Sequence, residues 1–245
     1  MSGHSKFSNI KHRKEKTDAA KAKVFTRLGR ELIVAVKHGG PEPAANGRLR
    51  DAVAKAKTGN MPNDTIERII KKAAGNAQDT EFEAITYEGY GPGGVAVIVE
   101  ALTDNRNRAA ANVRNAFTKG GGNMGTTGCV AFMFTEKGMV VVDNEDDDIE
   151  GDAFIEHALE SGAEDYNFED GVIEIFTELN QAGRVGEALT KLGYNVISAQ
   201  NEQIPSTYTE IPASEEEQSK KMTMLLEVLE DNDDVQNVWH NWREV

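Results

Sequence analysis

Ala84-Ile85-Thr86-Tyr87-Glu88-Gly89-Tyr90-Gly91-Pro92-Gly93-Gly94-Val95-Ala96-Val97-Ile98-Val99-Glu100-Ala101-Leu102 is the stretch on which the fold of this chain turns. Residues 84–88 and 95–102 alternate or run apolar, and six residues rich in glycine lie between them. That is strand, loop, strand. Gly89 to Gly94 matches G-x-G-x-x-G letter for letter. A dinucleotide site needs that motif between a strand and a helix, so that the helix N-terminus meets the pyrophosphate. Here a strand follows, and the motif reads as a hairpin loop.

Before this hairpin the apolar period is helical. Asp18 can cap a helix to about Lys37, with Val24, Phe25, Leu28, Leu32 and Val36 on one stripe, ended by Gly39-Gly40-Pro41. A second helix covers Gly47 to Lys57. A third has Pro62 in its first turn and runs to Ala74, closed by Gly75. After the hairpin, strands and helices mix. A helix capped by Asp104 or Asn105 runs through Phe117, and strands are expected over Val130–Phe134 and Met139–Val142. A helix follows over Ala153–Leu159, then strands over Tyr166–Phe168 and Val172–Phe176. The rest reads as a helix over Gln181–Leu192, strands over Asn195–Ala199 and Thr207–Ile211, a helix over Glu215–Leu229 and an alternating end from Asp234 to Trp242. The class is α+β: an N-terminal three-helix bundle followed by two small α/β domains with antiparallel sheets.

Charge is unevenly spread. The net value of −14 argues against a polyanion partner until it is divided. Residues 1–80 hold 17 Lys+Arg against 8 Asp+Glu, a net +9, and the remainder holds 10 against 33, a net −23. A basic module on an acidic body is the signature of a chain that docks polyanions on one face. On the first helix Lys23, Arg27, Arg30 and Lys37 form one stripe away from the apolar residues. Arg68 and Lys72 are four apart on the third. Lys6, Lys11, His12, Arg13, Lys14 and Lys16 form a basic arm before them. Arginine grips two phosphate oxygens at once, and such a set suits a phosphate backbone. No Asn/Gln/Arg set is plainly aimed at base edges.

Other motifs carry less. Arg106 and Arg108 at a helix start are a candidate secondary phosphate contact; the competing reading is a capped helix whose arginines bridge domains. Asp143–Asp152 holds seven carboxylates and resembles a calcium loop aligned on Asp146. Its twelfth position is then His157 rather than the required glutamate, so it reads as a solvated turn. Cys129, the single cysteine, excludes an intrachain disulfide and fits a reducing cytosol. His4 and His12 lack metal partners. Trp239 and Trp242 are expected to pack on the middle domain. Val95–Val99, the longest aliphatic run, is too short to span a bilayer, and the basic start does not read as a secretory signal. No catalytic set, metal site or cofactor site emerges. The chain reads as a cytoplasmic binding protein with no membrane or small-molecule partner.

The residues also carry a resemblance. Gly3-His4-Ser5-Lys6 with Asn9-Ile10-Lys11-His12-Arg13-Lys14, Asn60-Met61-Pro62, Ile66-Glu67-Arg68, Tyr87 to Gly94, Leu102 to Arg108, Gly162-Ala163-Glu164-Asp165, Leu229-Glu230-Asp231 and Asp233-Asp234-Val235-Gln236 together resemble the YebC family over nearly the whole chain. Phe7 stands where the family pattern usually has Trp; Phe keeps a stacking face and lacks the indole donor. Met124 and Cys129 replace more usual Leu and Ser. The resemblance implies a helical domain, 1–78, then two ferredoxin-like domains, the third (136–204) inserted in the second (79–135 plus 205–245). It implies a transcriptional regulator on promoter DNA, or a translation factor at the ribosome on rRNA or tRNA, like the related mitochondrial translational activator. Either would use the same face: Lys6, Phe7, Lys11, His12, Arg13, Lys14, Lys16, Lys23, Arg27, Arg30, Arg68 and Lys72.

Overall fold

A computed structural model describes residues 18–75, 81–146, 148–149, 151–169 and 171–243, with side chains from 21 onward. By contact the chain forms two compact units. One is made of the described residues up to Phe134 together with those from Pro205 onward, and the other is Thr135–Ile204.

The first unit begins with helices α1 (Asp18–Gly39), α2 (Gly47–Thr58) and α3 (Asn63–Ala74). Their apolar stripes meet in one core of Leu28, Leu32, Ala35, Val36, Leu49, Ala52, Ala56, Met61, Ile66 and Ala73. Asn46 fixes the first turn. Its side-chain oxygen accepts from the amide of Leu49, while its Nδ2 donates to the carbonyls of Ala35 and Gly40, each at 2.8 Å. This caps α2 and ties it to the end of α1. Asn60, at φ 59°, adopts the left-handed turn that ends α2, a conformation asparagine tolerates better than most residues. Pro62 sits one position before α3 as its cap residue.

The sheet of this unit follows. Strands β1 (Glu83–Tyr90) and β2 (Ala96–Thr103) form the expected hairpin, with Tyr87 opposite Val99. Helix α4 (Arg106–Lys119) leads to a short strand β3 (Asn123–Met124) on the far side of β1. The sheet is completed after residue 204 by helix α7 (Glu216–Glu230) and strand β9 (Val235–His240), which pairs antiparallel with β2. The strand order is β3-β1-β2-β9. On one face Val95, Val97 and Val99 pack with Val113 and Phe117 of α4 and Met222, Leu225 and Leu229 of α7. On the other, Ala96 and Ile98 pack with Val130 and Phe134. With both faces covered, β2 is almost entirely apolar, as the sequence shows. Trp242 is buried in the first core and Trp239 packs on the second. Strands β8 (Thr209–Glu210) and β10 (Trp242–Arg243) make a short parallel pair. Asn241, fully buried, secures it: its amide donates to Thr207 and Thr209 and its oxygen accepts from Ala96.

The second unit contains strand β4 (Phe134–Asp143), helix α5 (Gly151–Ser161), strands β5 (Asp165–Glu169) and β6 (Val172–Thr177), helix α6 (Ala182–Lys191) and strand β7 (Val196–Pro205). The order β5-β6-β4-β7 is the ferredoxin-like arrangement. Val140, Val142, Ile173 and Ile175 meet Phe154 and Ala158 of α5 and Val185 and Leu189 of α6.

Three expected elements differ. Val130–Phe134 is not a strand: Ala131–Met133 is a 3-10 turn, and β4 starts at Phe134. The reason is Glu88, whose carboxylate takes the amides of Val130 and Ala131 that a ladder would have used. Strand β3, only two residues long, was not expected. Of Thr207–Ile211 only Thr209–Glu210 pairs, because Asn241 holds Thr207 by its carbonyl.

Candidate nucleic-acid interface

Helix α1 places Lys23, Arg27 and Arg30 on one face, as the spacing predicts. That face is not open to phosphate. It lies against the acidic turn Glu230–Asp234, where α7 passes into β9. Arg27 donates to the carbonyl of Glu230, at the C-terminal end of α7, where the helix dipole favours a cation. Lys23 Nζ is 2.6 Å from Asp231. Arg30 Nη1 donates to Asp234 Oδ1 at 2.7 Å, to the carbonyl of Asp233 at 2.8 Å and to that of Leu102 at 3.0 Å. Its guanidinium also lies 5.4 Å from the centre of the Phe82 ring. The three central cations of the expected stripe therefore join the helices to the sheet within one unit. Lys37 is exposed near the end of α1.

The candidate secondary contact resolves in the same way. Asn105 caps α4 by accepting from the amide of Arg108. Arg108 donates to Asp104 at 2.7 Å and reaches both carboxylate oxygens of Asp234 at 3.1 Å. Asp234, 2% exposed, thus sits between two guanidinium groups. A hydrogen bond from Arg108 holds the Asp104 carboxyl below its ordinary range, and the same bond, with that to Asp234, raises Arg108. Arg106 pairs with Glu83 at 2.9 Å. Asn105 rather than Asp104 is the cap, and Arg106 and Arg108 pair with carboxylates of their own sheet-bearing part instead of bridging domains.

Besides Lys21 and Lys37 on α1, exposed cations of the helices lie on α2 and α3. Arg68 and Lys72, the two expected residues, are exposed on α3, and Lys71 is exposed beside them. Arg48 and Arg50 flank buried Leu49 in the first turn of α2, and Lys57 is exposed in its last turn. These four additional cations lacked a four-residue stripe, the pattern by which the others were found. Arg48 and Arg50 beside a helix N-terminus combine side-chain charge with the dipole's positive end. The arm residues Lys6, Phe7, Lys11, His12, Arg13, Lys14 and Lys16 lie outside the described residues.

Two further features are structural. The Gly-rich loop is a tight turn, Pro92–Gly94, between β1 and β2. A Cβ on Gly91 would fall 2.6 Å from Met222 Sδ, and one on Gly93 2.8 Å from Ile211. The glycines let the turn press against the apolar core beneath α7 rather than open towards a phosphate. Glu88, 3% exposed, accepts from the amides of Gly128, Val130 and Ala131 at 2.6, 2.9 and 2.8 Å. Burial pushes its carboxyl up, but the three amides together outweigh burial and hold it below the ordinary value. Burial raises the Cys129 thiol, helped by the Glu88 charge, so it is not a poised nucleophile. Among the described residues no helix is long and apolar enough to cross a membrane.

Comparison with known proteins brings these observations together. Residues 5–76 match the family model described as the TACO1/YebC protein N-terminal domain, and residues 82–242 match the TACO1/YebC second and third domain. A protein of Lachnoclostridium phytofermentans named a probable transcriptional regulatory protein is 55% identical, with all of both chains covered. One of the same name from Acetivibrio thermocellus is 53% identical over 99% of each chain. The crystal structure of a conserved hypothetical protein, Aq1575 from Aquifex aeolicus, superposes with a TM-score of 0.86 at 44% identity, covering 98% of both chains.

Proposed function

The chain belongs to the TACO1/YebC family, and from that premise we propose that it is a non-enzymatic, cytoplasmic regulator of gene expression that binds nucleic acid through its helical domain, residues 1–78. The observation that carries this reading is the exposed cationic set on α2 and α3, Arg48, Arg50, Lys57, Arg68, Lys71 and Lys72, inside a chain of net charge −14. Such a set neutralises phosphates without reading bases. The basic arm, from Lys6 to Lys16 and including Phe7 as a stacking residue, supplies further contacts. Lys23, Arg27 and Arg30 act instead by holding that face on the sheet. The relatives are named probable transcriptional regulatory proteins, which favours a role in transcription, for which promoter DNA is the target we propose. No Asn/Gln/Arg set on α2 and α3 is plainly aimed at base edges, which suits rRNA or tRNA equally, as in a ribosome-associated translation factor.

Binding through about six phosphates makes affinity fall roughly 10³-fold between 50 and 200 mM salt. Arg48→Glu, Arg68→Glu and Lys72→Glu together are expected to flatten the slope of log affinity against log salt by about three units. Fluorescence anisotropy on duplex DNA and on structured RNA measures both. An unchanged slope in a well-folded triple variant refutes this face. In-cell crosslinking, with attached DNA and RNA sequenced separately, identifies the target: discrete promoter fragments for transcription, a single ribosomal site for translation.

A further inference from the structure

The acidic charge is more concentrated than a division at residue 80 suggests. Thr135–Ile204, the second compact unit, holds three Lys+Arg and eighteen Asp+Glu, a net −15, so the rest of the chain, at a total of −14, carries a net +1. The proposed nucleic-acid face has no use for this unit, which repels phosphate.

Its sheet has an open side. In the order β5-β6-β4-β7, strand β5 is at the edge and, among the described residues, pairs only with β6. Edge strands are commonly blunted by a lysine, a proline or a bulge. Asp165-Tyr166-Asn167-Phe168-Glu169 has none of these. Its two faces differ sharply. Tyr166 and Phe168 lie opposite Ile175 and Ile173, on the side covered by the helices. Both aromatics are exposed, Tyr166 at 36% and Phe168 at 41%. Their rings meet edge to face at 5.9 Å, and Phe168 lies a further 6.3 Å from buried Phe154 of α5. The result is an aromatic shelf along the outer flank of the sheet. The opposite face of the same strand presents Asp165, Asn167 and Glu169, whose side chains alternate with the aromatics. Nearby Glu164 is held by Lys137 at 3.3 Å.

We propose that the β5 edge is a docking strand for an extended segment of a protein partner in which basic and apolar residues alternate. The segment adds to the sheet by backbone pairing with β5. Its apolar side chains rest on Tyr166 and Phe168, and its Lys/Arg side chains lie beside Asp165 and Glu169. Charge complementarity selects the partner: a unit at −15 excludes acidic segments and draws cationic ones at low salt.

The test uses the full chain and a fluorescent peptide of four Lys-Val repeats, followed by anisotropy in about 100 mM salt. Saturable binding is expected. Tyr166→Arg, at an exposed position, is expected to weaken it at least about tenfold with an unchanged circular dichroism spectrum. Asp165→Lys with Glu169→Lys is expected to do the same. The peptide N-methylated at alternate valines keeps its charge and cannot pair as a strand, and it is expected to lose at least about tenfold as well. Absence of saturable binding overturns the proposal. So does equal binding of the N-methylated peptide, which would reduce the effect to diffuse attraction, or indifference to Tyr166→Arg. Self-association abolished by Tyr166→Arg would seat a second copy on the edge and overturn it too. Nucleic-acid binding by the same variants is expected to stay unchanged, which separates this outcome from that of the helical face.

Discussion

Glu88 shows how one residue can organise a loop. On a half-exposed strand an alternating Tyr-Glu-Gly reads as a solvated carboxylate. Here the carboxylate is buried and gathers three backbone amides from residues forty positions downstream. Glu88→Gln keeps the shape but turns an NH2 group towards one of those amides, leaving buried donors without an acceptor. The expected cost is about 1–3 kcal/mol in urea-unfolding free energy at neutral pH. Because the folded carboxyl titrates below its ordinary 4.5, the stabilisation is fully present above that value and is lost as pH falls through the lowered one. The gap between wild type and Glu88→Gln is therefore expected to be constant from pH 7 to 5 and to close in stronger acid. A gap that persists there would assign Glu88 another role. None of this was legible in the sequence, since the partners of Glu88 are set by a turn that itself depends on Glu88.

At the scale of elements, the stripe on α1 was legible and its destination was not. Helical spacing puts Lys23, Arg27 and Arg30 on one face whatever that face meets. The acidic turn that meets it, Glu230–Asp234, lies some two hundred residues away, and each segment alone reads as a solvated charge run. Asp234 decides the energetics. It is buried between Arg30 and Arg108, and its removal takes the carboxylate from Arg30 and leaves Arg108 with Asp104. Asp234→Asn is expected to destabilise the unit by about 3 kcal/mol. Asp231→Asn, at an ion pair open to water, is expected to change stability by less than about 0.5 kcal/mol. Urea titrations of the two variants measure the difference, and equal effects would remove Asp234 from the interface's energetics. The hairpin at 84–102 was legible because its glycine loop, its strand lengths and the strand after it all agree. The expected strand at Val130–Phe134 failed because local apolarity does not reveal where the amides go.

For the whole molecule, the class, the three helices and the small α+β domains with antiparallel sheets could be read from period and order, while the ferredoxin-like arrangement was implied by the family resemblance. Charge could be read only in outline. Splitting the sequence at residue 80 locates the basic part, whereas the compact units show that the acid gathers in Thr135–Ile204. That unit is an excursion of the chain: β4 carries the backbone into it and β7 carries it out. At its mouth the carbonyl of Met133 accepts from the amide of Ser206 at 2.8 Å. Joining two points so far apart along a flexible chain costs on the order of 4 kcal/mol of closure entropy. If the excursion folds first, its adjacent strands β4 and β7 bring those points together and most of that cost disappears. The order of folding is thereby written into the connectivity. Phe154→Ala, a deletion in the core of the excursion, is expected to slow the protection of the Val97 and Val99 amides in pulse-labelled hydrogen exchange, although neither residue belongs to that unit. A rate unchanged by this deletion would mean that the host sheet closes without help. A slowed rate would make the acidic insert a clasp that lets a late-arriving C-terminal helix and strand find a sheet whose other strands were made much earlier in the chain.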